Sequence, residues 1–226
     1  MDRRITNVSF CCICILSYAL GSLPSAYIVG NLLKVDLNQV GSRNIGASNL
    51  AFHCGVLWAI PIIIFDIILK GSLPVWFAVK VLGLEYNSWL IALPAFAAIL
   101  GHNWSCFLKF KGGRGILVII GILIITAPLI LLFSSVTFIL GWILFRNTAI
   151  WTLFALCSTL IWSLMLPYQS PILIPIGSII LIVLKRLVPN LDPLPTHISK
   201  KRLYFNRLLH DRDISDRKLW ISRVST

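Results

Sequence analysis

The 226-residue sequence is 58% hydrophobic and only 12% charged, with a net charge of +12 and a mean hydropathy of +0.88. Such values exclude a soluble globular domain and define a polytopic membrane protein. A spanning helix takes roughly 20 apolar residues, fewer where helices break or tilt, so about seven crossings would occupy most of the chain. The expected fold is all-α: a transmembrane domain over residues 1–187, then a basic tail over 188–226.

In chain order, Asp2-Arg3-Arg4 ahead of an apolar run has the look of a signal peptide. Polar Gly21-Ser22 and Pro24-Ser25 then give way to further apolar residues, which points to a retained first helix. Cys11, Cys12 and Cys14 lie inside that run and read as small buried hydrophobes, so neither a disulfide framework nor a metal site is expected. Apolar runs lie near 8–30, 56–83, 88–101, 116–127, 129–145, 148–166 and 171–184. The second is interrupted by Asp66 and by Lys70-Gly71, and Pro128 alone separates the fourth from the fifth.

Ten of the 20 Lys and Arg residues fall from Lys185 onward, among four acids, which assigns the tail to the cytoplasmic side. Counting crossings back from the tail places Arg146, then Lys109, Lys111 and Arg114, then Lys34 and Arg43 on that same side. The N-terminus, with Arg3 and Arg4, then falls outside, against the charge rule but outweighed by the tail. No repeat is visible, and Pro189, Pro193 and Pro195 mark a linker. Beyond it, Lys200 to Leu209 mixes bases with apolar residues at helical spacing, which suits a helix on an anionic bilayer rather than a nucleic-acid surface.

Two loops assigned to one side carry the chemistry. The first, Gly41-Ser42-Arg43-Asn44-Ile45-Gly46-Ala47-Ser48-Asn49, combines backbone freedom, neutral hydrogen-bonding groups and one fixed cation. It reads either as an anion cradle ahead of a helix or as a polar connector that caps one. In the second, Lys109, Lys111 and Arg114 alternate with Gly112, Gly113 and Gly115, after His102-Asn103 at the end of a helix. Topology alone explains the bases; the glycines add backbone N–H groups able to converge on an oxyanion. A general base and a structural hydrogen-bonding group both fit His102. Asp66 and Lys70, four residues apart, are spaced to pair within the membrane.

Gly41 to Asn49, Asp66-Ile-Ile-Leu-Lys-Gly71, and Gly101-His-Asn-Trp through Phe110-Lys-Gly-Gly-Arg-Gly115 resemble the motifs of the bacterial membrane glycerol-3-phosphate acyltransferase family, PlsY. The resemblance runs from about residue 18 to 150. It implies a seven-helix fold in the bacterial inner membrane, cytoplasmic active-site loops, acyl phosphate and glycerol 3-phosphate as substrates, and lysophosphatidic acid as product for phospholipid synthesis. Neither cofactor nor metal is implied. Carried onto matching positions, Ser42, His102 and Lys111 would be catalytic. Asn44, Asn49, Asn103, Lys109, Gly112, Gly113 and Arg114 would bind phosphate or substrate, joined by Gly46 of the first loop and, at positions where the chain departs from the family, by Arg43 and Lys185.

The chain departs from the family pattern mostly in its C-terminal half. The last apolar helix ends Leu184-Lys185-Arg186-Leu187-Val188 in place of a His-Arg-Glu-Asn type motif. Arg146 is followed by Asn147-Thr148-Ala149 without the usual serine, leaving Thr148 or Thr152 as substitutes, and Arg43 stands for a glycine. Either Arg43 and Lys185 or Arg186 take over the acceptor phosphate, or the acceptor has changed. A non-enzymatic carrier of organic phosphates is the competing class, although no inverted repeat is apparent.

Overall fold

The computed structural model describes residues 3–86, 88–166, 172–190 and 198–213, with side chains from Ser9 onward. Its helices are α1 (Arg3–Ser22), α2 (Ser25–Leu32), α3 (Ala47–Cys54), α4 (Val56–Phe65), α5 (Leu73–Leu82), α6 (Ala92–Asn103), α7 (Ile116–Thr126), α8 (Pro128–Phe145), α9 (Thr148–Met165), α10 (Leu173–Leu187) and α11 (Lys200–His210). A π-helical stretch, Asp66–Ser72, joins α4 to α5. Among the described residues every regular element is helical, as expected from the composition.

Among the described residues the apolar runs are mostly helical, and four segments are long and apolar enough to cross a bilayer: Ser9–Leu32, Val56–Leu82, Pro128–Phe145 and Thr148–Met165. The others are shorter, and α7, at 11 residues, spans only about 16 Å. Leu57, Leu132, Leu144 and Leu164 are exposed, as expected for an outer surface whose solvent is lipid. Val75, Ile91, Ile99, Val118, Ile122, Ile130, Ile174 and Ile182 are fully buried in the main core.

Two close helix crossings fix the ends of the glycine-rich loop. Where α1 meets α6, a Cβ on Gly21 would stand 2.2 Å from the Ala98 carbonyl oxygen, and one on Gly101 would stand 2.2 Å from that of Tyr18. Where the π-helical stretch meets α7, a Cβ on Gly121 would lie 2.0 Å from the Ile67 carbonyl oxygen. Backbones this near exclude any side chain, the usual means of tight association in a membrane. The loop between α6 and α7 is then pinned to α1: Tyr18 Oη donates to the Trp104 carbonyl at 2.8 Å, and Ser105 Oγ to that of Ser22 at 2.5 Å.

Asp66 and Lys70 pair at 2.7 Å and are nearly inaccessible. Ser25 bridges them, donating to Asp66 Oδ1 at 3.0 Å and accepting from Lys70 Nζ at 3.1 Å. The small residues around Pro24 thus bring a hydroxyl to an ion pair that would otherwise be costly in a membrane.

Helix α11 packs against α9 and α10. Leu203, Asn206 and Arg207 are buried there, while Tyr204 and Phe205 remain exposed. Arg207 donates to the Leu187 carbonyl at 3.2 Å and to Asp213 Oδ1 at 2.6 Å. The described part of the tail is therefore docked on the helical body through Leu203, Asn206 and Arg207, with Lys200, Lys201 and Arg202 exposed.

Candidate active site

A cavity of about 540 Å³ opens among α3, α7, α9, α10 and the end of α11. Three helix N-termini converge on it. Gly46, Ala47, Ser48 and Asn49 present the start of α3; Gly115, Ile116 and Leu117 that of α7; Asn147, Thr148 and Ala149 that of α9. No side chain caps α3 or α7, whose preceding glycines leave the first amides unobstructed. Gly115 has a left-handed φ of 73°, a conformation favoured by glycine. At α9, Asn147 Oδ1 accepts from the Ile150 amide at 3.3 Å. Arg114, Arg146, Arg186 and Arg212 also line the wall. Helix N-terminal dipoles and guanidinium groups act in the same sense and favour an anion, against the carboxylates of Asp66 and Asp211 on the same wall.

In the first loop, Ser42, Asn44, Gly46 and Asn49 reach the cavity. Ser42 Oγ accepts from the Asn44 amide at 3.3 Å. Asn49 is occupied in shaping the loop: its Nδ2 donates to the Leu37 and Val40 carbonyls, both at 3.2 Å, and its Oδ1 accepts from the Ser42 amide at 3.3 Å. Arg43 is held at a left-handed φ of 53° and faces an adjoining space of about 30 Å³. His53 lies beneath Gly41, where a Cβ would meet Nε2 at 2.4 Å. Partial burial lowers the pKa of its imidazole from the ordinary histidine value.

The second loop divides between the wall and its support. Arg114 and His102 line the cavity. His102 is buried, and its Nδ1 stands 3.9 Å from Asp66 Oδ2, too far for a hydrogen bond. Gly113 is pressed on it: a Cβ there would stand 2.2 Å from His102 Nε2. Gly112 sits over the end of α6, and Asn103 is fully buried beneath Gly115. Lys109 and Lys111 stand off the cavity wall, Lys109 exposed at a left-handed turn and Lys111 in an isolated backbone bridge with Ser105. Among the described residues, no three His, Cys, Asp or Glu side chains gather as a metal site.

Lys185 is also away from the cavity. It is 2% exposed, with its ammonium 5.2 Å from the centre of the Trp104 ring and 2.9 Å from Asn190 Oδ1. Asn190, which no sequence motif marks, ties the two loops together. Its Oδ1 also accepts from the Gly112 amide at 3.0 Å, while its Nδ2 donates to the carbonyls of Arg43 at 3.0 Å and Gly112 at 3.1 Å. Asn190→Ala would leave buried donors without acceptors and is expected to cost about 2–4 kcal/mol. A thermal unfolding midpoint in detergent equal to that of the parent protein would contradict this clamp.

A family profile described as Glycerol-3-phosphate acyltransferase matches residues 11–194. The chain belongs to the glycerol-3-phosphate acyltransferase family. Its relatives include Glycerol-3-phosphate acyltransferase 5 of Dehalococcoides mccartyi, 31% identical over 227 residues that cover 97% of this chain and 95% of the relative. The corresponding protein of Fusobacterium nucleatum is 37% identical over 134 residues, covering 59% and 67%. Among solved structures, the glycerol 3-phosphate form of PlsY (YgiH), an integral membrane glycerol 3-phosphate acyltransferase, aligns at a TM-score of 0.72 and 27% identity. That alignment covers 91% of this chain and 94% of the other. The lysophosphatidic acid form aligns at the same TM-score with 25% identity.

Within this family framework, the departures in the C-terminal half occupy defined places. Thr148 and Thr152 both line the cavity, although Thr152 Oγ1 is spent on the Thr148 carbonyl at 2.7 Å. Arg186 reaches the wall from α10, where its two terminal nitrogens hold the carbonyls of Ala149 and Leu208, each at 2.8 Å. Thus Arg186, rather than its neighbour Lys185, faces the cavity.

Proposed function

We propose that this cavity is where the chain, an integral membrane glycerol-3-phosphate acyltransferase, joins an acyl phosphate to glycerol 3-phosphate. The observation that carries the reading is the convergence of three helix N-termini with Arg114, Arg146 and Arg186 on one cavity. Both substrates bear phosphate, and the acyl group arrives activated, so the main task is to hold two anions together and aim a hydroxyl at a carbonyl.

In this scheme the acceptor hydroxyl oxygen attacks the acyl carbonyl carbon. The new ester C–O bond forms as the bond to phosphate breaks, and the electron pair leaves on inorganic phosphate. His102 receives the hydroxyl proton, amides at the start of α7 stabilise the oxyanion, and Arg114 neutralises charge on the phosphate. Ser42, Asn44 and Gly46 orient substrate from the facing loop, while Arg43, Asn49, Asn103, Gly112, Gly113 and Lys185 hold the cradle in shape. Lys109 and Lys111 draw anions toward the site by longer-range attraction.

Concentration of the basic residues at this end supports its assignment to the cytoplasm, together with the C-terminus. The test supplies purified protein with acyl phosphate and glycerol 3-phosphate and follows lysophosphatidic acid and released phosphate. Both should appear in equal amounts, and in sealed vesicles only when substrate is on the side bearing the tail. Uptake of phosphate ester into proteoliposomes without either product would establish a carrier instead.

A further inference from the structure

Helix α11 begins beyond the family match, which ends at residue 194, yet its end supplies His210, Asp211 and Arg212 to the cavity wall. Asp211 follows the last helical turn at a left-handed φ of 58°, its amide closing on the Arg207 carbonyl at 3.1 Å. A short polar residue tolerates that conformation and often terminates a helix this way. The turn directs the carboxylate back among the arginines. Asp211 Oδ1 accepts from Arg114 Nε at 2.5 Å and lies 3.8 Å from Arg186 Nε. A second Arg114 nitrogen donates to the Asp211 carbonyl at 3.3 Å.

Two details mark this contact as a ligand site rather than a surface ion pair. Arg186 is 3% exposed, and its buried Nε has no hydrogen-bond partner among the described residues. A buried guanidinium N–H that faces a carboxylate at 3.8 Å is a donor set for a larger or more highly charged oxyanion. In addition, a carboxylate at a helix C-terminus meets the negative end of the helix dipole. Its position therefore depends on the two arginines and yields readily to a competitor. Carboxylate and phosphate offer a guanidinium the same forked oxygen geometry, and a phosphate monoester brings about −1.5 to −2 charges at neutral pH.

We infer that Arg114 and Arg186 form one phosphate subsite and that Asp211 is its internal occupant, displaced by a substrate phosphate, so that α11 lowers substrate affinity and closes the site between turnovers. The inference rests on the proposed function for the identity of the phosphate, but its test does not require catalysis. Inorganic phosphate is titrated calorimetrically into the full-length protein and into Asp211→Asn, which keeps the size and most of the hydrogen bonding. The variant should bind about fivefold more tightly, with a matching fall in KM for glycerol 3-phosphate. Unchanged or weaker binding would overturn the inference, since it would make Asp211 a support for Arg114.

If Asp211→Asn does not fold, hydrogen exchange on the unaltered protein decides. Saturating phosphate should speed exchange of the amides of residues 207–213 while slowing those of the loop around Ser42. Exchange that is unchanged or slower at 207–213 would overturn the displacement. Tighter phosphate binding in a protein without acyl transfer would instead refute the proposed reaction and leave the subsite standing.

Discussion

Arg114→Ala is expected to lower kcat/KM for glycerol 3-phosphate by about 10²- to 10³-fold, equivalent to about 3–4 kcal/mol of lost transition-state stabilisation. Arg114 is 13% exposed and stands beside the α7 N-terminus, so its charge acts where little water screens it. Arg114→Lys should recover part of the loss, since it restores charge without the forked geometry. Removing Arg114 also strands the Asp211 carboxylate, and a fall in activity by itself would not separate catalysis from stability. The double variant Arg114→Ala with Asp211→Asn supplies that separation: thermal stability should return toward that of the parent, while activity should not. Steady-state kinetics indistinguishable from the parent in Arg114→Ala would remove the cavity from the mechanism.

Asp66→Ala is expected to destabilise the protein by about 3–5 kcal/mol, because it leaves the Lys70 ammonium without its counter-charge. Lys70 is only 3% exposed, and its remaining contacts, the Ser25 hydroxyl and the Phe65 ring centred 5.6 Å away, cannot neutralise it. Replacing the pair together, with Asp66→Leu and Lys70→Met, should restore most of the stability, since apolar side chains need no partner there. Activity should return only in part, because Asp66 lines the cavity and its Oδ2 stands 3.9 Å from His102. Reversible unfolding in mixed micelles measures the first effect and kcat the second. Equal destabilisation by the single and double variants would show that packing, rather than charge, accounts for the loss.

Much of the fold was legible in the sequence, because apolar runs long enough for a membrane have few alternatives to helix. The described parts of the seven runs read from composition are mostly helical, whereas the interruption of the first run at Leu23-Pro24, between α1 and α2, was not foreseen. The two loops, Gly41 to Asn49 and His102 to Gly115, stood out as candidates for an anion site, the first by its glycines, polar side chains and Arg43, the second by the glycines set among its bases. What the sequence did not disclose was how the labour divides within each loop. Lys109, Lys111 and Arg114 are equivalent by composition, but the left-handed turn at Lys109 and the bridge at Lys111 leave only Arg114 on the wall.

The C-terminal half was harder to read for a related reason. Lys185 and Arg186 are adjacent, and the helical rotation between neighbours decides which reaches the cavity. Asn190 lies beyond the helix end, and its four hydrogen bonds reach residues as distant in sequence as Arg43 and Gly112. No local pattern encodes such contacts. The same holds for Asp211, whose pairing with Arg114 spans 97 positions, and for the meeting of three helix N-termini, which exists only once α3, α7 and α9 are assembled.

In the proposed reaction the arginine-lined cavity, and not the lysines of the glycine-rich loop, holds the substrate phosphate. A structure of the protein determined with glycerol 3-phosphate bound tests this most directly. The phosphate should lie inside the cavity, within hydrogen-bonding distance of the Arg114 guanidinium and of amides at the start of α3 or α7, with Asp211 turned away. A phosphate bound by Lys109 and Lys111, with the Arg114 to Asp211 contact intact, would contradict it.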